Sequence, residues 1–556
     1  MNSELGRNER KTYYILILLC IAVYLVSWTI PLMEVDAVQY ANLSREMLLH
    51  KSFLQVYDQG QDYLDKPPML FWLSSLSMYV FGINDMAYRL PSFLFALLAI
   101  YSTYRLALLF YSEKMALLSA LVLAGSQAMF LINHDVRTDT MLMGWVTLSL
   151  WQLAAWLQHN KWKHLVTGSI AIAGGMLTKG PIALMIPVFA FVPHLMLKRN
   201  FKDLFRWQYL IVLVIAAILL IPMSIGLYEQ FDMHPEKTVN GQQHVSGLKF
   251  FFWTQSFGRI TGSNTLREND SFFFLFQNML WSLLPWILFF ILGLFYAVKD
   301  LVQKRFLLAE NEEWISTGGF IITYCALAKS SAQLPHYIFV VFPLAAIIIA
   351  RFLYTLLYTD ILKNWKKPLF IIHAVIFSLL AVVLGMLLYF PFPPVNWLLL
   401  TLFLVFCCLV ILLVMKKWLP VPSLIALLVP AIIGINFLMD LGFYSPLLQY
   451  EAGVKVNEII KQEHYDKDHF FVYKMGERRS LDFYGNHSFL AVNDPDLLGT
   501  SDYLLTSADG MALIDKTKYK ILYTGQGFHV SLLTLPFLNP ATRNTDTYPY
   551  FILQRR

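Results

Sequence analysis

The chain is written as a series of long apolar runs separated by short basic loops. A membrane-spanning helix needs about 20 mostly apolar residues, with a tolerance of about 17–25. Thirteen stretches read as such spans: 12–32, 90–110, 115–132, 140–158, 164–178, 181–197, 208–227, 272–298, 314–328, 336–358, 368–390, 396–415 and 419–440. Composition agrees. Of 556 residues, 57% are hydrophobic and 14% charged, where a soluble domain carries about 25% charged residues. The fold class is an α-helical polytopic membrane protein, and soluble folds are excluded. The net charge of +6 is no nucleic-acid signal, because the basic residues sit between spans, where they set topology. Cys20, Cys325, Cys407 and Cys408 all lie inside apolar segments. They suit neither a disulfide framework nor a metal-binding CxxC pair. The first run, 13–32, is too long for a signal-peptide core and reads as a retained helix.

Orientation follows from the Lys and Arg residues. With Arg7, Arg10 and Lys11 placed in the cytoplasm, alternate loops hold Arg105 and Lys114, Lys161 and Lys163, the group Lys198 to Arg206, Lys299 to Arg305, Lys363 to Lys367, and Lys416 with Lys417. Each of these loops is short and basic. The outer side then receives loop 33–89, loop 228–271 and a tail, 442–556. In the tail, charge, Gly and Asn return, and "HFFVYKM" and "YKILYT" read as strands. The expected organisation is a membrane unit, 1–441, followed by a small extracytoplasmic α/β domain, 442–556.

The first outer loop opens with "MEVDAVQYANLSREMLLHKSF". Val38, Ala41, Met47 and Leu48 recur at helical spacing, with Asn42, Arg45 and Glu46 opposite, which predicts an amphipathic helix lying in the membrane interface. Asp36 heads it and Gln39 follows three residues on, as in a capping box. Tyr40 follows. Further along, "YLDKPPMLFWL" places Tyr63, Asp65 and Lys66 before paired prolines that suit the first turn of a second interfacial helix. An ordinary account makes Lys66 a snorkelling lysine. A functional account aims it at a lipid phosphate.

Other outer segments add Arg89; Asp135, Arg137 and Asp139 at the head of a helix; Lys179 at a helix end; Arg259 after a third amphipathic piece; and Lys329, His336 and Tyr337. Acids at helix N-termini are favoured by the helix dipole alone. Yet carboxylates, cations and tyrosines from several outer loops converge on one membrane face, where ionisable groups are costly and tend to be functional. The chemistry that needs this mixture is transfer of a group from a lipid phosphate. Cations stabilise the leaving phosphate, a carboxylate orients or deprotonates the nucleophile, and an apolar groove holds the lipid tail.

The stretches "VDAVQYANLSREML", "YLDKPPMLFWL", "AYRLPS", "VRTDTMLMGW", "LTKGPIAL", "FFWTQSFGRI", "LPHYIFVVFPLAAIIIA" and "SLDFYG" occur in this order along nearly the whole chain. In them the chain resembles the integral-membrane GT-C glycosyltransferases of the protein O-mannosyltransferase superfamily, with its ArnT-like bacterial branch of lipid A aminoarabinose transferases. The resemblance implies sugar transfer from a polyprenyl-phosphate donor to a lipid A, glycan or protein acceptor outside the cytoplasm, with inversion. It implies Asp36 and Asp139 as catalytic acids, Lys66 and Arg259 on the donor phosphate, and Tyr40, Tyr63, Asp65, Arg89, Arg137, Lys179, His336 and Tyr337 lining the cavity. Ala37 and Gln39 stand where the family often has Glu and Arg. Asp65 takes the place of a metal-holding Glu, and His234 and His244 are the nearest substitutes for its His. No tightly held zinc or other cofactor is expected. Expected partners are membrane lipids, the polyprenyl-linked sugar and the acceptor, in the inner (plasma) membrane. The alternatives are a transporter or lipid flippase, whose charges belong at mid-membrane, and a ligase of preassembled glycans.

Overall fold

The structure is a computed structural model describing residues 6–239, 241–255, 258, 271–476 and 478–556. Every one of the apolar stretches falls on helix. Among the described residues, eight helices are long and apolar enough to cross a membrane. Taking Glu113–Ala124 and Gln127–His134, bent by 51° at their junction, as one span gives nine. Ile182–Leu197 and Ile315–Ala328 are shorter apolar helices. Local chemistry accounts for the breaks. The helix Trp162–Lys179 stops at Gly180, whose φ of +83° suits a residue without a side chain, and Pro181 precedes the helix Ile182–Leu197. Pro285 stands between Phe274–Ser282 and Ile287–Gln303, since proline offers no N–H to continue a helix.

The helix Met69–Phe81 starts directly after Pro67 and Pro68. It leaves Leu76, Tyr79, Val80 and Phe81 exposed, as a helix lying in the membrane interface requires. The helix Asp36–His50 departs from expectation in two ways. Asp36 is its first residue but makes no capping bond, and Gln39 Nε2 donates to Asp58 Oδ2 at 2.7 Å instead of closing a capping box. Its polar face is also not left to water or lipid headgroups. Asn42, Arg45 and Glu46 are all buried, because loop 57–62 and the C-terminal part of the chain cover them.

That C-terminal part is built on a four-stranded sheet in the order Phe470–Tyr473, Tyr503–Ser507, Tyr548–Arg555, Tyr519–Gly527. The first pair is parallel and the others antiparallel. The helix Ala452–Gln462 lays Ala452, Val456, Ile459 and Ile460 against Phe470, Val472, Leu505 and Ile552, a helical stripe meeting alternating strand positions. The last apolar helical run continues past residue 441 to Tyr450, so the chain enters this sheet layer straight from a membrane helix.

Glu451 stands at that junction, buried. Burial and the neighbouring Glu34 carboxylate push its pKa well above the ordinary 4.5. A raised carboxyl pKa favours the protonated folded state. Its contribution to stability is fully present below 4.5 and is lost as pH rises through the raised value. Glu451→Gln is therefore expected to flatten the fall in thermal midpoint of the solubilised protein as pH rises above 4.5, measured by fluorescence-detected melting.

Candidate active site

Helix ends bring the site together. Asp36 begins one helix, and Asp139 lies in the first turn of Thr138–His159. Lys179 is the last residue of its helix. Acids at N-termini and a cation at a C-terminus match the helix dipoles. His336 and Tyr337 lie in the short 3₁₀ turn Pro335–Val341 that precedes Phe342–Tyr358.

The charged side chains form a continuous chain. Arg137 Nη1 donates to Asp36 Oδ2 at 2.5 Å, and Arg137 Nε donates to Asp135 Oδ2 at 2.8 Å. His336 Nδ1 lies 3.3 Å from Arg137 Nη1, and His336 Nε2 lies 3.6 Å from Asp139 Oδ2. Because a guanidinium can only donate, Nδ1 accepts and Nε2 carries the ring proton toward Asp139. Lys179 Nζ donates to Asp139 Oδ1 at 2.6 Å and sits 3.9 Å from the centre of the Tyr337 ring. Burial alone would lower the Arg137 pKa, but the Asp135 and Asp36 carboxylates outweigh it and the net shift is upward. Burial pushes the Asp135 carboxyl up, against the pull of Arg137.

Two cavities flank this chain. The larger has a cavity volume of about 90 Å³. Its polar lining is Lys66, Asp139, Lys179, Gln255, Ser330 and Tyr337, and its apolar wall includes Leu142, Ile182, Met185, Leu327 and Val340. The smaller, about 30 Å³, is lined by Tyr63, Asp65, Pro67, Phe250 and Phe251 and shares Lys66 and Gln255 with the first. Lys66 Nζ donates to Asp65 Oδ2 at 2.8 Å. The Gln255 amide donates to the backbone oxygen of Asp65. The Tyr63 hydroxyl is buried and has no hydrogen-bond partner among the described residues, and burial raises its pKa, helped by Asp65 and Asp36.

The sequence-derived residues distribute as follows. Lys66, Asp139, Lys179 and Tyr337 line the larger cavity; Tyr63 and Asp65 line the smaller. Asp36, Arg137 and His336 line neither; Arg137 holds Asp36, and His336 lies between Arg137 and Asp139, with 30% of the Asp36 side chain exposed. Tyr40 is buried with its ring 5.8 Å from that of Phe71 and likewise lines neither. Arg89 is a correction. It is wholly buried, and its guanidinium donates to the carbonyl oxygens of Ile30 at 2.8 Å, Pro31 at 3.2 Å and His134 at 3.3 Å. Its donors are spent on the backbone leading to Asp36 and Asp135, so it is a strut and not a cavity wall. Arg259 lies outside the described residues. Among the described residues no three His, Cys, Asp or Glu side chains gather as a metal site. Asp65 is taken up by Lys66, and His234 Nδ1 lies 3.0 Å from Glu236. Sequence reasoning left Asp135, Gln255 and Ser330 out of the site. Asp135, two residues from Arg137, carried a readable signal; the other two did not.

Residues 65–225 match the family described as dolichyl-phosphate-mannose-protein mannosyltransferase. The undecaprenyl phosphate-alpha-4-amino-4-deoxy-L-arabinose arabinosyl transferase of Erwinia tasmaniensis is 28% identical over 276 residues, 48% of this chain and 47% of that protein. Its counterpart from Yersinia pestis is 26% identical over 280 residues, 49% of this chain and 48% of that protein. The match thus spans about half the length of these relatives. The crystal structure of ArnT from Cupriavidus metallidurans bound to undecaprenyl phosphate superposes with a TM-score of 0.71 at 17% identity, over 97% of both chains. The fold is the GT-C fold of ArnT. The apo form of the same protein superposes with a TM-score of 0.70 over 90% of this chain and 94% of that one. Asp65, Lys66, Arg137, Asp139 and Lys179 all fall inside the matched segment 65–225, whereas Asp36 and His336 lie outside it.

Asp139 is 2% exposed, so Lys179 is what makes its charge tolerable there. Removing one partner of a buried pair costs about 3–5 kcal/mol. Lys179→Ala is expected to lose stability of that order, and Lys179→Ala with Asp139→Asn to recover much of it. A double-mutant cycle on thermal midpoints of the solubilised protein checks this.

Proposed function

We propose that this chain transfers a sugar from a polyprenyl-phosphate-linked donor to a lipid, glycan or protein acceptor at the outer face of the cell's inner membrane, with inversion at the anomeric carbon. The observation carrying this reading is the row of Asp36, Arg137, His336, Asp139 and Lys179 beside a cavity lined by Lys66, Lys179 and apolar side chains. The named relatives and the ArnT fold support it. So does the basic character of alternate loops, which favours a cytoplasmic N-terminus and residues 442–556 outside.

In the reaction, the acceptor oxygen forms a bond to the anomeric carbon as the bond from that carbon to the phosphate oxygen breaks. Lys66 and Lys179 face the cavity where the leaving phosphate gains charge, and Arg259 belongs with them by its family position. The Asp36 carboxylate, held by Arg137, receives the proton when the acceptor is a hydroxyl, and only orients an acceptor that is already a phosphate. Asp139 and His336 fix the lysine and the guanidinium. The unpartnered Tyr63 hydroxyl supplies a hydrogen bond to a donor oxygen in the smaller cavity. The prenyl chain lies along the apolar wall. A flippase would carry ionisable groups along a path through mid-membrane, whereas these sit at helix ends.

The test is mass spectrometry of lipids and glycans from cells expressing wild-type chain, Asp36→Asn or none. Wild type is expected to add one sugar. Asp36→Asn is expected to insert normally and lose product by roughly 10²–10⁴-fold. Wild-type product from Asp36→Asn would overturn the reading.

A further inference from the structure

The helix that carries Asp36 is held by a segment more than four hundred residues away in the chain. The short helix Arg479–Gly485 of the C-terminal part lies against it and against both flanks of Asp36. Before Asp36, the backbone N–H of Leu32 donates to the Tyr484 hydroxyl at 2.6 Å, and Ser480 Oγ donates to Glu34 Oε1 at 2.9 Å. After it, Arg479 Nη2 donates to Asp58 Oδ2 at 2.9 Å and Arg479 Nε to the same oxygen at 3.2 Å. That oxygen also accepts from Gln39 Nε2 at 2.7 Å. Gln39 is three residues from Asp36 on one helix, so the two side chains sit on neighbouring positions of its first turn. Further along, Arg45 Nη2 donates to Ser488 Oγ at 3.2 Å, and Gln59 Nε2 donates to Asp482 Oδ2 at 2.8 Å.

The Arg479–Asp58 pair is partly buried, with side-chain exposures of 22% and 11%. It is a charge-assisted contact with two guanidinium nitrogens on one carboxylate, the kind that fixes geometry as well as adding energy. Lys in its place would keep the charge and lose the fork. The helix itself has no side-chain N-cap. Its first turn is therefore steadied from outside, and the Asp58 carboxylate is the joint where the outside support meets Gln39.

We propose that Arg479 is a positioning residue for the transfer reaction: through Asp58 and Gln39 it sets the first turn of the helix that presents Asp36, so the C-terminal domain, 442–556, completes the site. This rests on the reading of Asp36 as the site's acid, and two separate measurements keep the two claims apart.

The first is hydrogen–deuterium exchange of the full-length solubilised protein, which needs no substrate. Arg479→Ala and Asp58→Asn are each expected to speed exchange across Asp36–His50 while leaving Thr138–His159 unchanged, and Arg479→Lys to fall between. Unchanged exchange across Asp36–His50 in both variants overturns the proposal, whatever the protein catalyses. The second is product formation in membranes, read by mass spectrometry, beside binding of undecaprenyl phosphate. Arg479→Ala is expected to lower the rate by roughly 10–100-fold with undecaprenyl phosphate binding kept, and Arg479→Lys to restore part of it. A rate equal to wild type in Arg479→Ala overturns the proposal. Absence of any product from wild type, with the exchange effect present, leaves the positioning intact and overturns the sugar-transfer reading instead.

Discussion

Arg137 is the hinge of the charged arrangement. A guanidinium this far out of water is expensive unless its donors meet acceptors. Here they meet Asp36 and Asp135 and touch His336. Those partners come from the first loop, from the turn before Thr138–His159 and from the turn before Phe342–Tyr358. One side chain thereby ties three segments, reaching 101 positions back to Asp36 and 199 positions on to His336. With Nδ1 of His336 accepting from Arg137, its other nitrogen faces Asp139 at 3.6 Å, and Asp139 in turn holds Lys179. The order of charges at the cavity wall follows from that single commitment.

Arg89 does for the backbone what Arg137 does for the side chains. The chain leaving the first membrane helix carries carbonyl groups with no helical partner. Arg89 gathers those of Ile30 and Pro31 together with that of His134. The segments leading into Asp36 and into Asp135 are thus pinned to one guanidinium. The two carboxylates of Arg137 then have little freedom to drift apart. A buried arginine on carbonyl oxygens and a half-buried arginine on carboxylates make one scaffold.

What was legible in the sequence tracks the range of the physics involved. Apolar length and loop charge are local, and the apolar stretches fall on helix wherever they were expected. The strand readings at 469–475 and 519–524 rested on local composition as well, and strands stand within the first, at Phe470–Tyr473, and across the second, at Tyr519–Gly527. Acids at helix starts and Lys179 at a helix end were legible from dipole logic. Misreadings arose where a polar side chain had a choice of partners. Gln39 had the spacing of a capping box, yet Asp58 offered a carboxylate already charged and fixed by Arg479. Arg89 looked like a cavity cation because nothing in "AYRLPS" announces four carbonyl groups from elsewhere. Gln255 and Ser330 are ordinary polar residues until the cavity is seen.

The helix Asp36–His50 shows why amphipathic spacing alone does not name a surface. A polar stripe opposite an apolar one is equally consistent with a membrane interface and with a protein cover. The helix Met69–Phe81 took the first course, keeping Tyr79, Val80 and Phe81 exposed on a side free of protein. Asp36–His50 took the second. Its polar residues bond to one another, Asn42 Nδ2 donating to Glu46 at 2.8 Å and Arg45 Nε to Asn42 at 3.0 Å, and then reach Ser488 across the seam. Burying a carboxylate and a guanidinium in this way is worth its desolvation only if the partners are placed accurately. A helix resting on headgroups has no such requirement and tolerates sliding and tilting. The cover from the C-terminal part therefore converts a helix that would float on the bilayer into one with a single position, and Asp36 stands at its first residue.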